Sequence, residues 1–219
     1  MPTYDFFCNK CNQRFDVFLT FAEYGKKKVS CTHCKSQNVR RRMSSDQFMA
    51  VFNSTVPAAP PQALPVITFA ESVNLHLNGI DVRVRHVASA HTDGDAVAYF
   101  EQADVLHMGD IYFNGLYPLI DLGSGGGIDG MIAGVALGVE LAGERTVVVP
   151  GHGPLGDRDS LAAYGEMLRD FRDRIAALKA DGKSLEEVVA ARPTAEFDEA
   201  LGQGFIPPER LVGFIYESL

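Results

Sequence analysis

The chain has 219 residues, which permits either one large domain or a small module joined to a medium one. Its charge favours the second arrangement. Residues 1–50 carry nine Lys and Arg against four Asp and Glu, a net charge of +5, while the remainder carries eleven against twenty-four, a net charge of −13. Nowhere do eighteen apolar residues run together, and the first ten residues lack the basic start and apolar core of a signal peptide, so neither a membrane protein nor a secreted one is expected. We expect a soluble cytoplasmic protein.

Cysteines occur only in the basic segment, as Cys8, Cys11, Cys31 and Cys34. Two Cys-x-x-Cys pairs separated by nineteen residues have the spacing of a zinc ribbon, because each pair offers two thiolates from a tight turn to one tetrahedral ion. A segment of this size buries too little to fold unaided, so zinc would supply most of its folding free energy, on the order of 10 kcal/mol. Four free thiols or a disulfide pair are the alternative. We interpret His33 as a solvated turn residue.

The N-terminal sequence also has a specific resemblance. The opening "MPTYDFFCNKCNQRFDVF", the pair "CTHC" and the trailing Arg40, Arg41 and Arg42 resemble the FmdB-type zinc-ribbon family of regulatory proteins across residues 1–43. The resemblance implies a structural zinc at the four cysteines and a regulatory or nucleic-acid-linked role. The arginine cluster is compatible with an acidic partner such as nucleic acid, and a solvated basic face is the alternative.

Residues 44–65 are predicted to be a linker, since the stretch "NSTVPAAPPQALP" holds four prolines and little to bury. Alternating apolar residues follow in "PVITF", "VNLHLN" and "IDVRVRHV", and Asn78-Gly79 predicts a two-residue hairpin between the last two. "DAVAYF" and "ADVLHMGD" predict two further strands. After the glycine-rich "LGSGGGIDG", residues 131–141 have helical spacing and "RTVVVPGHG" predicts a buried strand.

Helices dominate the remaining sequence. Apolar residues recur three and four apart over 158–181, which predicts a long helix. A shorter helix is expected after the Ser184 cap and another at "PPERLVGFIYESL".

Three stretches place metal-binding side chains directly after predicted strands. They are "SAHTDGD" with His91, "HMGDIYFNGLYP" with Asp110, and "VVVPGHGP" with His152. Loops gather at one end of a sheet, so ligands from distant parts of the chain can converge there. Glycines at 109, 151 and 153 would let the backbone pass close to an ion.

Together these motifs resemble the later part of the metallo-beta-lactamase superfamily, from about residue 62 to the C-terminus. The resemblance implies an αββα sandwich that holds one or two zinc ions at a sheet edge. It implies that His91 is a ligand of a first ion, that Asp110 bridges both ions, and that His152 is a ligand of the second. The expected fold is therefore α+β: a small zinc ribbon at 1–43 followed by a partial metallo-beta-lactamase-like domain at 66–219.

The superfamily's His-x-His-x-Asp-His motif does not occur in this sequence. We interpret His76, His86 and His107 as structural, and Asp93 and Asp95 as turn residues or partners of the ligands; no residue is assigned as catalytic. The first hypothesis is a zinc-binding fusion with impaired hydrolysis. The alternatives are an active zinc-dependent hydrolase of an ester, thioester or amide, and a regulatory or scaffolding protein acting through the ribbon. A sandwich that lacks strands also predicts self-association, or a partner chain, at an exposed sheet edge.

Overall fold

The computed structural model describes residues 3–18, 28–42 and 67–219. The chain divides into two compact units, Met1–Pro65 and Val66–Leu219. The predicted linker, residues 44–65, lies outside the described residues. Within the described ranges there are two separate sheets and five helices, which confirms the α+β class.

The first unit contains a three-stranded antiparallel sheet. Its strands are β1 (Thr3–Cys8), β2 (Arg14–Phe18) and β3 (Val39–Arg42), in the order β2-β1-β3. Phe6 and Phe15 stack at 5.8 Å between ring centroids and are buried together with Cys8 and Cys31. So small a core leaves the unit dependent on a further source of stability.

The second unit contains a five-stranded sheet in the order β4-β5-β6-β7-β8. Its strands are β4 (Ser72–Leu77), β5 (Ile80–Val87), β6 (Asp95–Phe100), β7 (Val105–Phe113) and β8 (Val147–His152). Neighbours are antiparallel except for β7 and β8, which run parallel. Asn78 and Gly79 have φ angles of 52° and 75°, the left-handed conformations that a type I′ hairpin turn requires, so the predicted hairpin is confirmed.

Five helices belong to the second unit. They are α1 (Ile128–Leu141), α2 (Arg158–Ala180), α3 (Leu185–Ala191), α4 (Ala195–Leu201) and α5 (Pro208–Ser218). Asp157 caps α2 by accepting from the Ser160 backbone N–H at 2.8 Å, and Ser184 caps α3 as predicted. None of the helices in the described part of the chain is long and apolar enough to cross a bilayer.

Helix α1 crosses from β7 to β8 and packs closely against the sheet. A Cβ on Gly138 would lie 2.6 Å from the end of the Met108 side chain, so a larger residue there would require that side chain to shift. Leu106, Met108 and Val148 are fully buried on this side, together with Leu161 of α2. The core of the unit therefore lies between one face of the sheet and helices α1 and α2.

Three local predictions differ from the structure. Residues 67–69 of "PVITF" form no strand, and the short helix α4 was not predicted. Strand β8 is only partly buried, because it is an edge strand whose Val147 is 40% exposed. A run of valines in the sequence does not distinguish a central strand from an edge strand.

Candidate metal centres

The four cysteines converge in the first unit. Their Sγ atoms all lie within 4.8 Å of one another, with 3.5 Å between Cys8 and Cys34 and 3.6 Å between Cys11 and Cys31. All four are free thiols. Four sulfurs at about 2.3 Å from a tetrahedral zinc lie about 3.8 Å apart, so the quartet fits that ion.

Matching turns position the two cysteine pairs. The Asn12 N–H donates to the Cys8 carbonyl at 2.9 Å, and the Lys35 N–H donates to the Cys31 carbonyl at the same distance. Asn12 and Lys35 both adopt positive φ angles, 54° and 60°. Each Cys-x-x-Cys therefore folds back on itself in the same way, which aims both sulfurs of a pair at one point.

The electrostatics of the quartet favour a bound cation. Burial opposes ionisation of Cys8, but hydrogen bonds from the backbone N–H groups of Cys11 and Lys10 lower its pKa to about 6. Burial and the adjacent Cys34 and Cys8 raise the pKa of Cys11 to about 12. Ionisation of Cys8 thus disfavours ionisation of Cys11. A divalent ion removes this repulsion because it neutralises both thiolates.

A second cluster lies at the ends of β7 and β8 in the other unit. We call His91, Asp110 and His152 the trio. The two carboxylate oxygens of Asp110 face different imidazoles: Oδ2 lies 3.6 Å from His91 Nε2, and Oδ1 lies 3.5 Å from His152 Nε2. The His91 side chain is 14% exposed, whereas those of Asp110 and His152 are 39% and 45% exposed.

The trio has the spacing of metal ligands. Two ligand atoms at about 2.0–2.1 Å from a tetrahedral zinc lie about 3.4 Å apart, which fits both separations. Each imidazole therefore shares a possible ion position with one oxygen of Asp110. Within residues 3–18, 28–42 and 67–219, only the cysteine quartet gathers three or more ligand atoms within 4.8 Å of one another. The trio thus offers two incomplete positions joined by one carboxylate.

A hydrogen bond fixes the ring of His91. Its Nδ1 lies 2.8 Å from the Leu119 carbonyl, which can only accept, so Nδ1 carries the proton and Nε2 presents its lone pair to Asp110. The backbone around His91 is tied to the glycine-rich segment. The Asp121 N–H donates to the His91 carbonyl at 2.8 Å, and a Cβ on Gly126 would lie 2.2 Å from that same oxygen.

Aromatic rings hold His152 instead. Its imidazole stacks on Phe113 at 4.9 Å between ring centroids and 16° between planes, and Phe205 lies 5.4 Å away on another side. Phe113 is almost fully buried, so it provides a fixed wall. Phe113 also lies 6.3 Å from His91, which places one ring beside both imidazoles.

Asp110 lies against the backbone of the β8 turn. A Cβ on Gly151 would lie 2.1 Å from Asp110 Oδ1 and 2.7 Å from the Gly109 carbonyl oxygen. Only glycine at position 151 lets β8 pass this close to the carboxylate.

The family model described as a zinc ribbon domain matches residues 1–43. This segment is a zinc ribbon. The four clustered cysteines, which could hold one metal ion, all lie within this segment. Among curated proteins none matches the chain.

Solved structures resemble the second unit. A double mutant of the sec-alkyl sulfatase PisA1 superposes with a TM-score of 0.57 at 19% identity, over 71% of this chain and 26% of that one. The stereoselective inverting sec-alkylsulfatase Pisa1 from Pseudomonas sp. gives 0.55 at 19% identity, over 69% and 26%. A metallo-beta-lactamase from Pontibacter korlensis gives 0.44 at 22% identity, over 56% and 54%.

These similarities concern the fold alone. The alkylsulfatase superpositions identify the second unit as part of a metallo-beta-lactamase fold. The chain spans about a quarter of the length of those alkylsulfatases.

Several other histidines and aspartates among the described residues make hydrogen bonds outside the trio. The His86 ring bonds the carbonyls of Ala70 and Asp93, and His76 pairs with Asp81 at the surface. Asp95 accepts from the Thr92 N–H at 2.7 Å within the loop after His91. His33 is exposed and meets the Arg14 carbonyl at 3.2 Å.

Two groups beside the trio were not predicted. One is the Leu119 carbonyl. Every residue has a backbone carbonyl, so the sequence does not indicate which one accepts a hydrogen bond. The other is Phe205, whose proximity to His152 depends on how the segment between α4 and α5 folds back.

Proposed function

We propose that this protein is a zinc-binding fusion in which the ribbon holds one structural zinc and the second unit keeps a weak metal site with impaired hydrolysis. The observation that carries the proposal is the position of Asp110 between two imidazoles, at 3.6 Å and 3.5 Å, with one imidazole for each carboxylate oxygen.

Ligand number decides the expected activity. A catalytic zinc usually keeps three protein ligands and one open position for water. At either position of the trio, Asp110 and one histidine supply two ligands, and no third His, Cys, Asp or Glu among the described residues completes such a cluster. An ion with two protein ligands is held loosely, so few molecules would carry it at low zinc concentrations.

The residues of the trio retain defined roles toward such an ion. Zinc would act there as a Lewis acid that lowers the pKa of a bound water. His91 offers a lone pair fixed by the Leu119 carbonyl, and Asp110 offers one oxygen to each side. His152 is exposed and held by ring contacts.

Zinc counting tests the proposal. We expect one tightly bound zinc per chain after dialysis, lost when Cys8 and Cys31 are changed to Ala. A second, weak ion should appear on titration and should disappear in His91→Ala. The matched control is His107→Ala, because His107 is an exposed histidine of β7 outside the trio.

Hydrolysis separates this proposal from that of an active enzyme. The panel should contain an aryl ester, a thioester, an amide and, because the superposed alkylsulfatases are named for it, a secondary alkyl sulfate. We expect rates near background with added zinc. A second zinc bound as tightly as the first, with turnover abolished by His152→Ala, would instead establish an active hydrolase.

A regulatory role is the second candidate, favoured by the arginines of β3. Arg40 and Arg42 lie two residues apart in β3, opposite Phe7 and Asp5 of β1. Fluorescence anisotropy with duplex DNA tests it. Binding that weakens steeply with salt and with Arg40→Ala and Arg42→Ala, but not with Lys35→Ala, would support it.

We also propose that the protein works in a reducing compartment such as the cytoplasm, because its thiols are free and arranged for zinc. Recovery of the protein from cells with two of these cysteines joined as a disulfide would contradict that.

A further inference from the structure

The two faces of the five-stranded sheet differ in what covers them. Helices α1 and α2 pack on one face, where Leu106, Met108 and Val148 are fully buried. We call the other side the open face. On it, apolar residues of β4 lie opposite apolar residues of β5: Val73 opposite Val84, Leu75 opposite Val82, and Leu77 opposite Ile80.

The open face continues across the remaining strands. Val82 lies opposite Phe100 of β6, which in turn lies opposite Val105 of β7 and, through it, Val147 of β8. Residues directly opposite in a ladder point to the same side of a sheet. An apolar row therefore runs from one edge of the sheet to the other.

Parts of this face are open to solvent. Leu77 is 60% exposed and Ile80 is 40% exposed at the β4–β5 hairpin, and Val147 is 40% exposed at the opposite edge. Between them, Val82 is buried at 9% exposure, whereas Val84 and Phe100 are half-buried. Apolar area of this kind on a single chain marks a contact surface.

The open face carries almost no charge. His86, opposite Ala96, and His107, opposite Ala98, are its titratable side chains among the described strand residues. The surrounding chain is acidic, with a net charge of −13 over residues 51–219. A partner can therefore cover this face without burying any carboxylate or ammonium group, which removes the largest cost of association.

We propose that a second copy of this chain packs its own open face against this one. A two-fold axis brings the same patch from each copy together, and aligned sheets pack about 10 Å apart. Helices then lie outside two facing sheets, which is the helix–sheet–sheet–helix order of a sandwich. In this dimer, each copy would provide the second sheet of the sandwich that the other copy lacks.

The size of the face agrees with a weak dimer. Five strands about 4.8 Å apart, each about six residues long at about 3.3 Å per residue, give a face of roughly 480 Å². Two such faces bury about 1,000 Å² in total, the lower limit for a specific interface. We therefore expect dissociation at low micromolar concentrations.

Sedimentation velocity over roughly 1–200 μM tests the proposal, since an interface of this size should associate within that range. We expect a monomer–dimer equilibrium that strengthens with salt, because the contact is apolar and both copies are acidic. The equilibrium should persist with a chelator, which distinguishes it from any bridging by zinc and from the outcome of the proposed function.

Two variants make the test specific. Ile80→Lys combined with Val147→Lys places cations at positions that are already 40% exposed, so the fold should survive, as checked by circular dichroism. We expect association to weaken by roughly tenfold or more, because each lysine would be buried in the pair. The matched control is Leu155→Lys, a position 66% exposed in the loop after β8, which should dimerise like the wild type.

Three outcomes would overturn the proposal. They are a monomer at every concentration, association that weakens as salt rises, and equal loss of association in the control variant. A monomer whose open-face amides resist hydrogen exchange would show that the chain covers this face itself.

Discussion

Gly151→Ala is the sharpest perturbation of the trio. The added methyl group would lie 2.1 Å from Asp110 Oδ1 and 2.7 Å from the Gly109 carbonyl oxygen. A carbon and an oxygen need about 3.2–3.4 Å, so the carboxylate has to move by roughly 1 Å while the backbone oxygen limits where the methyl group can go. Gly151 does not adopt a positive φ, so the conflict is one of space alone.

The expected effect of Gly151→Ala falls on both binding and stability. Displacing an oriented ligand carboxylate should weaken zinc binding by the trio about 10–100-fold. Overpacking should lower the free energy of unfolding by about 1–3 kcal/mol. Competition with a chromophoric chelator, after the ribbon has been saturated with zinc, measures the affinity; urea unfolding measures the stability.

Gly213→Ala is the matched control. Gly213 lies in helix α5 and a Cβ there meets nothing within 4 Å, so alanine should leave zinc binding unchanged and stabilise the helix by roughly 1 kcal/mol. If Gly151→Ala binds zinc as tightly as the wild type, then Asp110 is not held where the reasoning requires it.

Three further predictions concern single side chains. Phe205→Leu removes the ring beside His152 and should weaken the trio's zinc affinity about 2–10-fold, the worth of one aromatic pair; unchanged affinity in the same chelator competition would contradict this. Burial opposes ionisation of Asp198, but hydrogen bonds from Thr194, Arg192 and Tyr117 outweigh it and lower the pKa of the carboxyl group. Its stabilisation is therefore complete above the unfolded pKa of about 3.9 and is lost as pH falls through the lower folded value, so Asp198→Asn should cost about 1–3 kcal/mol in urea unfolding at pH 7 and less near pH 3. Asp157→Ala removes the cap of α2 and should lower the free energy of unfolding by about 1 kcal/mol; a loss below a few tenths would show that the cap is dispensable.

Local sequence rules predicted much of the second unit. Strict alternation and Asn78-Gly79 predicted the β4–β5 hairpin, and apolar spacing over 158–181 predicted helix α2, which spans Arg158–Ala180. Both signals are short-range, because they depend on side-chain direction within one element. Helix α4 gave no such signal, since seven residues are too few for a period to show.

The two candidate metal centres also differ in how far local sequence patterns predicted them. The spacing of the cysteines fixes the quartet, since each pair occupies a single turn. The trio instead comes from three separate segments, and its members were assigned from motif resemblance. Their mutual distances depend on long-range pairing that no local pattern encodes. The contact of His91 with the Leu119 carbonyl and the contact of His152 with Phe205 also depend on long-range folding, so no local pattern predicted them.

The parallel pairing of β7 and β8 has a consequence for the order of folding. Parallel neighbours cannot be joined by a tight turn, so Asp110 and His152 meet only after the chain has closed a crossover through α1. The cysteine quartet, by contrast, needs only residues 8–34 to come together. In refolding from denaturant, zinc capture by thiolates should therefore precede capture by imidazoles, and the later event would report that the slowest loop has closed.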